Sequence, residues 1–395
     1  MTIERYASLE ELIPYIGKDV EKQVSILVSK GLTQKIALTF VQFLEEDWNL
    51  CNSISFEDKV KVMSRGFFPS RLKLYGLDEV NYVEYLSDLD YYRLHPLNNH
   101  FAIWINDKVT LKYMIPSVFH TLEGRHLSVM PEYYLYIEND GKYSYMMDSP
   151  KYIAHDEDYL FHLLQEKKIL ALKPSRGQGG YGFVKLEYAG GDVYINGVKK
   201  NKQEFNQFRD TLFGYIVTEY ATQHKDLDAV CKDSVCTLRV IAVKNQSNKY
   251  AHGETDIIAS YARFGTSKSH GASNLSSGGV GIPYDFNTGR FGKYFYRYLK
   301  YSEGEDFKFD RHPDSKISLE GKILPHWEFV RDIVYSVCYY LSSLEYFGFD
   351  LMITDGGVKI CEINTLPAQD DAQVMCGPFW KNSAARTYFE LKLKL

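Results

Sequence analysis

Apolar positions recur with helical spacing early in the chain and with strand spacing after it. Over residues 8 to about 92 the pattern falls into short amphipathic pieces. In LTQKIALTFVQFLEEDW, Ile36, Phe40, Phe43 and Leu44 are spaced for one helix face. Near Pro96 the texture becomes mixed α/β: HFAIWINDKVTLKYMI reads as a strand feeding a helix, and SVMPEYYLYIEN and GKYSYMMD read as strands. KKILALKPSRGQGGYGFVKLEY then reads as strand, glycine-rich loop and strand, and DVYINGVKK as a hairpin turning on Asn196-Gly197. Asn201 with Glu204 three residues on forms a capping box for the next helix. GYIVTEYA, CTLRVIAVKN and DIIASYARFG predict further strands, with a polar, glycine-rich loop over 266–281. A helix is predicted over about 327–344, with Val330, Ile333, Val334, Val337, Leu341 and Leu344 apolar.

The stretch with the most chemical content is 347–367, FGFDLMITDGGVKICEINTLP. Two apolar runs flank Asp355-Gly356-Gly357, which signals a hairpin. With those three residues as the loop, Thr354 pairs with Val358, and Asp350 lies across from Glu362. Alternation of side chains then brings Asn364 to the same face. Two carboxylates and an amide offer an incomplete oxygen set, which suits Mg²⁺ also held by substrate phosphates. An ordinary hairpin with a wet polar face has the same pattern, so the choice rests on what lies upstream.

Length allows two or three compact units, and 45% apolar with 25% charged residues is ordinary for a globular protein. A formal charge of −5 gives no reason to expect nucleic acid or an anionic membrane as the main partner. Six scattered cysteines with no CxxC pair suggest reduced thiols in the cytoplasm rather than a zinc site. The first residues lack the apolar core of a signal peptide, and no run of about eighteen apolar residues predicts a membrane span.

Gly177, Gly179 and Gly182 match G-x-G-x-x-G, with Val184 extending it. A dinucleotide site needs a helix directly after the glycines, but the strand-like FVKLEY follows. A protein kinase needs an HRD loop, which is absent, and Asp285-Phe286 precedes Asn287 rather than glycine. A strand–loop–strand flap over phosphates remains, with Lys173 at the end of the strand before it. A flexible hairpin and a solvated strand-end lysine are the plain alternatives.

The order Asp107-Lys108 opening a helix, Lys173-Pro174 before the flap, Thr218-Glu219-Tyr220-Ala221 ending a strand, and Asp350…Glu362-x-Asn364 resembles the ATP-grasp superfamily. KDSVCTLRVIAV, SYARFG, SNLSSGGVGIPYDFNTG and HPDSKISLEGKILPHW resemble its sugar-transfer-associated branch, linked to bacterial surface polysaccharides, over about residues 92–367. The resemblance implies an α+β ATP-grasp fold, two α+β subdomains gripping ATP, with a helical N-terminal region. The expected division is 1–92 helical, 93–155 an α/β pre-grasp segment, 156–221 the lid subdomain with the flap, and 222–395 the C-terminal subdomain with the metal site.

The resemblance also implies residue roles. Lys108 and Lys173 would contact the ATP phosphates and the adenine end. Gly177, Gln178, Gly179, Gly180, Tyr181 and Gly182 would cover the phosphates. Glu219, Tyr220 and Ala221 would form the adenine hinge, and Asp226 would reach the ribose. Asp350, Glu362 and Asn364 would bind Mg²⁺, for which Mn²⁺ can substitute. Arg239 would neutralise the γ-phosphate or acyl phosphate, and Arg263 and Asn274 would hold the carboxylate substrate or intermediate. Two departures stand out. Gly348 occupies a position where some related ligases carry arginine, and Cys236-Thr237 stands where the family often shows Asn-Thr.

The implied reaction is amide formation between a sugar-linked or small-molecule carboxylate, such as a uronic acid, and an amine or amino acid in surface-glycan or capsule synthesis. Phosphorylating the carboxylate supplies a leaving group, and the flap excludes water. No side-chain nucleophile is required; His270 could serve as a base but better suits a solvated loop. A phosphotransferase stopping at a phosphorylated product, and a non-catalytic nucleotide-binding module, remain open, as does a homodimer.

Overall fold

The computed structural model describes residues 7–177, 182–232, 234–248, 251–269, 271–299, 302 and 306–395. Gln178, Gly179, Gly180, Tyr181 and His270 lie outside the described residues. Two seven-stranded antiparallel sheets form the frame, with a small ribbon of β1 (Phe119–His120) and β2 (His126–Leu127) beside them.

The chain first runs through the helices Val20–Ser29, Gln34–Leu50, Phe56–Met63, Arg71–Leu74 and Asp88–Arg93. Asp19, Thr33, Ser55 and Ser87 cap four of them by accepting a backbone N–H in the first turn, each worth about 1 kcal/mol. In Gln34–Leu50 the buried stripe is Ala37, Phe40, Val41 and Leu44, while Phe43 is exposed. The expected apolar face was rotated because Ala37 and Val41 complete the i, i+3, i+4, i+7 set that Phe43 does not. Residues 100–106, expected as a strand, form the helix Phe101–Asn106. Only Ile105 is buried there, with Ile103 and Trp104 exposed, so the aromatic run faces the core on one side and offers no strand to a sheet.

The first sheet has the order β4-β3-β9-β5-β6-β7-β8. Its strands are β3 (Tyr133–Ile137), β4 (Tyr143–Tyr145), β5 (Ile169–Pro174), β6 (Val184–Ala189), β7 (Asp192–Ile195), β8 (Val198–Lys200) and β9 (Tyr215–Glu219). The β7–β8 turn has Asn196 and Gly197 both at positive φ, 49° and 77°, as its sequence demands. Both halves of the Asn201–Glu204 capping box are made. Leu160, Leu163, Leu164 and Phe205 from two helices cover one face, packing with Leu170, Leu172, Leu186 and Val217.

The second sheet has the order β14-β13-β12-β11-β10-β15-β16. Its strands are β10 (Thr237–Asn248), β11 (Ala251–Phe264), β12 (Val280–Pro283), β13 (Phe295–Tyr296), β14 (Lys308–Phe309), β15 (Tyr346–Thr354) and β16 (Gly357–Asn364). Against one face packs the helix Trp327–Tyr340, through Val330, Ile333, Val334 and Val337 onto Leu238, Val240, Phe347, Phe349 and Leu351. That helix has no side-chain cap. Burial at about 1.5–3 kcal/mol per side chain holds it, against about 1 kcal/mol from a cap. It stops at Tyr340, short of the predicted end, although Leu341 and Leu344 stay buried. The opposite face packs on the N-terminal helices and on the helices Gln369–Cys376 and Ser383–Leu393, around Ile241, Tyr261, Tyr346, Ala372 and Tyr388. No helix among the described residues is long and apolar enough to cross a membrane.

Candidate active site

The β15–β16 hairpin brings Asp350 opposite Glu362 by a different route from the expected one. The turn is two residues, since Thr354 pairs with Gly357 rather than with Val358. A bulge at Cys361 then takes up the missing residue, between the pairs Leu351–Ile360 and Asp350–Glu362. Val358 and Ile360 point into the core under the helix Trp327–Tyr340, and strict alternation from them would send Glu362 there as well. The bulge resets the phase, so Ile363 enters the core and Glu362 and Asn364 turn to the other face.

That face is continued by the neighbouring strands. Asp350 pairs across β10 with Arg239, and Arg239 across β11 with Tyr261. Arg239 Nε donates to Asp350 Oδ1 at 2.6 Å and its Nη2 to Oδ2 at 3.1 Å, while Arg263 Nη2 lies 2.9 Å from Oδ1. All three residues are buried. Burial works against a charged Asp350, yet Arg239 and then Arg263 outweigh it and hold this carboxyl well below the usual carboxylate range. For Glu362, burial and the nearby Asp350 raise the carboxyl, against the opposing pull of Lys108. Asn364 Nδ2 donates to Glu362 Oε1 at 3.2 Å.

Lys108 joins this face to the first sheet. Asp107 caps its helix, and Lys108 Nζ donates to the Gly177 carbonyl at 2.9 Å and lies 3.4 Å from Glu362 Oε2. The Lys173 side chain makes no hydrogen bond or ion pair among the described residues, and its charge acts on Cys361 at the bulge. Gly182 is at φ +74°, where a Cβ would come within 2.8 Å of both Pro174 Cγ and the Tyr215 hydroxyl. Only glycine fits there on both counts.

At the strand end of β9, Glu219 N–H already donates to the Glu132 carbonyl at 2.8 Å, and its carboxylate accepts from Glu132 N–H at 3.1 Å. The Ala221 amide has no backbone acceptor among the described residues, and Lys185 lies over the Tyr220 ring, 5.1 Å from its centroid. Asp226 is exposed beside His224, near the hairpin tip, where Lys225 N–H meets Asp355. Asn274 starts a short 3-10 turn, and its carbonyl accepts from Ser277 and Gly279. It connects to the face through its neighbour Ser273, whose hydroxyl meets Thr237, which accepts from Arg263 at 3.0 Å.

Both departures have structural reasons. A Cβ at Gly348 would sit 2.7 Å from Pro367, so no longer side chain fits. Cys236 is buried, with its amide donated to the Gln223 side chain. Among the described residues no group of three or more His, Cys, Asp or Glu is placed to hold a metal. The donors on this face are two carboxylates and an amide oxygen, while burial pushes the Cys361 thiol up to about 12. The chemistry of that set fits a hard cation that draws its other ligands from phosphate and water. Tyr261 was legible but not singled out: it stands two residues before Arg263 on β11 and so shares its face.

A two-sheet grasp with a carboxylate–arginine face defines a protein of the ATP-grasp class. The sugar-transfer associated ATP-grasp family matches residues 90–384, and the chain belongs to that family. Among solved structures it is similar to D-alanyl-alanine synthetase A from Vibrio cholerae, at 13% identity over 75% of this chain and 66% of that one, with a TM-score of 0.41. A D-alanine–D-alanine ligase from Bacillus anthracis complexed with ATP has 13% identity over 75% and 70%, with a TM-score of 0.35. N5-carboxyaminoimidazole ribonucleotide synthetase from Thermotoga maritima has 14% identity over 71% and 50%, with a TM-score of 0.33. The chain thus spans half to about two thirds of the length of the first and last of these, and at such scores they say nothing of its substrates. No curated protein matches the sequence.

Proposed function

We propose that the chain is an ATP-dependent carboxylate–amine ligase that activates a sugar-linked or small-molecule carboxylate, such as a uronic acid, and joins it to an amine or amino acid in surface-polysaccharide synthesis. The observation that carries this reading is the position of Lys108, with one ammonium between the flap carbonyl of Gly177 and the Glu362 carboxylate. Beside it, two arginines share the single carboxylate of Asp350. That surplus of positive charge is what an anionic donor and a γ-phosphate would meet.

In this reading Lys108 and Lys173 bind phosphates, the flap from Gly177 to Gly182 excludes water, and the Ala221 amide meets adenine. Asp350, Glu362 and Asn364 would hold Mg²⁺, which supplies neutralising charge on the transferred phosphoryl group. Arg239 and Arg263 orient the donor carboxylate so that its oxygen attacks the γ-phosphorus and ADP leaves. The amine nitrogen then attacks the carbonyl carbon, and phosphate departs as the amide forms. Dependence on ATP and six unpaired cysteines suit the cytoplasm.

The test is ADP release screened over uronic-acid sugars paired with amines and amino acids, with product analysis. An amide with ADP and phosphate supports the ligase. A stable phosphorylated donor would make the protein a phosphotransferase, and absence of turnover with every pair would leave a nucleotide-binding module.

A further inference from the structure

The face that carries the arginine pair also meets a carboxylate that no arginine holds. Asp371 lies in the first turn of the helix Gln369–Cys376. One turn further on, Met375 packs over β12, where a Cβ on Gly281 would strike its sulfur, and Gly281 is the cross-strand partner of Arg263. The neighbouring Asp370 is taken by Arg71, whose Nη1 lies 3.0 Å from it. Among the described residues the Asp371 carboxylate has a single long hydrogen bond, from the Tyr298 hydroxyl at 3.4 Å.

Beside it stands Tyr261. Tyr261 is 1% exposed, shares the face of its cross-strand partner Arg239, and its hydroxyl makes no hydrogen bond among the described residues. That hydroxyl is not one of the sealed, unpaired polar atoms of the molecule, so it is free to meet water or a ligand atom. Burial, then Asp371, keeps the Tyr261 phenol protonated far above the ordinary range, and hence a donor. Asp371 itself is half-buried. Burial, then Asp370, pushes its carboxyl up to about 8 against the pull of Arg239, Arg263 and Arg71. A base of that strength suits proton transfer near neutral pH.

Resting on the ligase reading, we propose that Asp371, flanked by the hydroxyls of Tyr261 and Tyr298, receives the ammonium group of the amine substrate and takes its proton. One N–H bond breaks and an O–H bond forms on Asp371, freeing the nitrogen lone pair. That pair attacks the acyl carbon as the C–O bond to phosphate breaks. The two substrates are thereby sorted by charge along one sheet face. The donor carboxylate meets Arg239 and Arg263, and the ammonium meets Asp371.

The test uses the full chain labelled with ¹³C at the aspartate carboxyls, with Asp371→Asn identifying the resonance. Titrated with n-butylammonium chloride, Asp371 should show its pKa falling toward the ordinary carboxylate range. Tetramethylammonium chloride, of equal charge but without N–H, should leave it in place. No fall, or the same fall with both salts, overturns the proposal and leaves Asp371 a counter-ion of the arginines. In turnover, hydroxylamine is neutral near pH 7 and traps an acyl phosphate without a base. The ratio of amide to hydroxamate should therefore drop by about tenfold or more in Asp371→Asn, and an unchanged ratio overturns the proposal. A wild-type protein that forms no hydroxamate with any donor would instead defeat the ligase reading, while the titration still decides the subsite.

Discussion

Asp350 is held by Arg239 at 2.6 and 3.1 Å and by Arg263 at 2.9 Å, whereas Glu362 opposite it has Lys108 at 3.4 Å and Asn364 at 3.2 Å. The two carboxylates therefore differ in what their loss costs. Asp350→Ala strands two buried guanidiniums and is expected to cost about 3–5 kcal/mol, visible as a lower melting transition as well as lost turnover. Glu362 is already pushed toward its neutral form by burial and by Asp350, so its charge contributes little to folding. Glu362→Ala should reduce ADP release by about 100-fold or more while melting close to wild type; unchanged turnover would remove it from the metal set. Gly182 adds a third case. An alanine at φ +74° costs about 1–2 kcal/mol before its clash with Pro174 and Tyr215 is counted. Steady-state kinetics of Gly182→Ala should show KM for ATP raised by about tenfold.

Among the elements, hairpins and caps were readable because local chemistry fixes them. Asn196-Gly197 and the Asn201–Glu204 box depend on neighbours within a few residues. The β15–β16 hairpin was readable in outcome but not in construction, because a short turn and a bulge at Cys361 compensate for one another. A bulge leaves no periodic trace in a run such as VKICEIN, whose apolar positions fit either phase. The run over 100–106 failed for the reason short apolar segments often do, that aromatic and β-branched residues suit a strand or a half-buried helix alike. The link between the sheets also escaped the sequence, since Lys108, Gly177 and Glu362 are far apart along the chain. It carries its own prediction. A charge-assisted hydrogen bond is worth about 1.5–3 kcal/mol. Lys108→Met should therefore weaken ATP binding by about tenfold or more in calorimetric titration, with the first sheet's fold retained by far-ultraviolet circular dichroism. An unaltered affinity would mean that Lys108 only braces the flap.

At the scale of the whole molecule, the N-terminal helices looked silent in sequence, yet they supply a buried polar junction to the helix that follows β16. Asp88 accepts from Arg71, from the Phe68 amide at 2.8 Å and from Gln369 Nε2 at 2.9 Å. Gln373 binds both backbone groups of Leu86, accepting from its N–H at 2.8 Å and donating to its carbonyl at 3.1 Å. Arg71 also reaches Asp370, so the same guanidinium that closes this junction fixes the first turn of the helix bearing Asp371. No spacing rule connects Asp88 with Gln369, so the junction could not be read in advance. Arg71→Leu leaves Asp88 buried without its cation and should destabilise the protein by about 3–5 kcal/mol. Adding Asp88→Asn removes the stranded charge and should return part of that loss, giving a favourable coupling in a double-mutant cycle of denaturant unfolding. If the helices were an independent module merely resting on the sheet, the second sheet would unfold at its original midpoint while the N-terminal region melted alone.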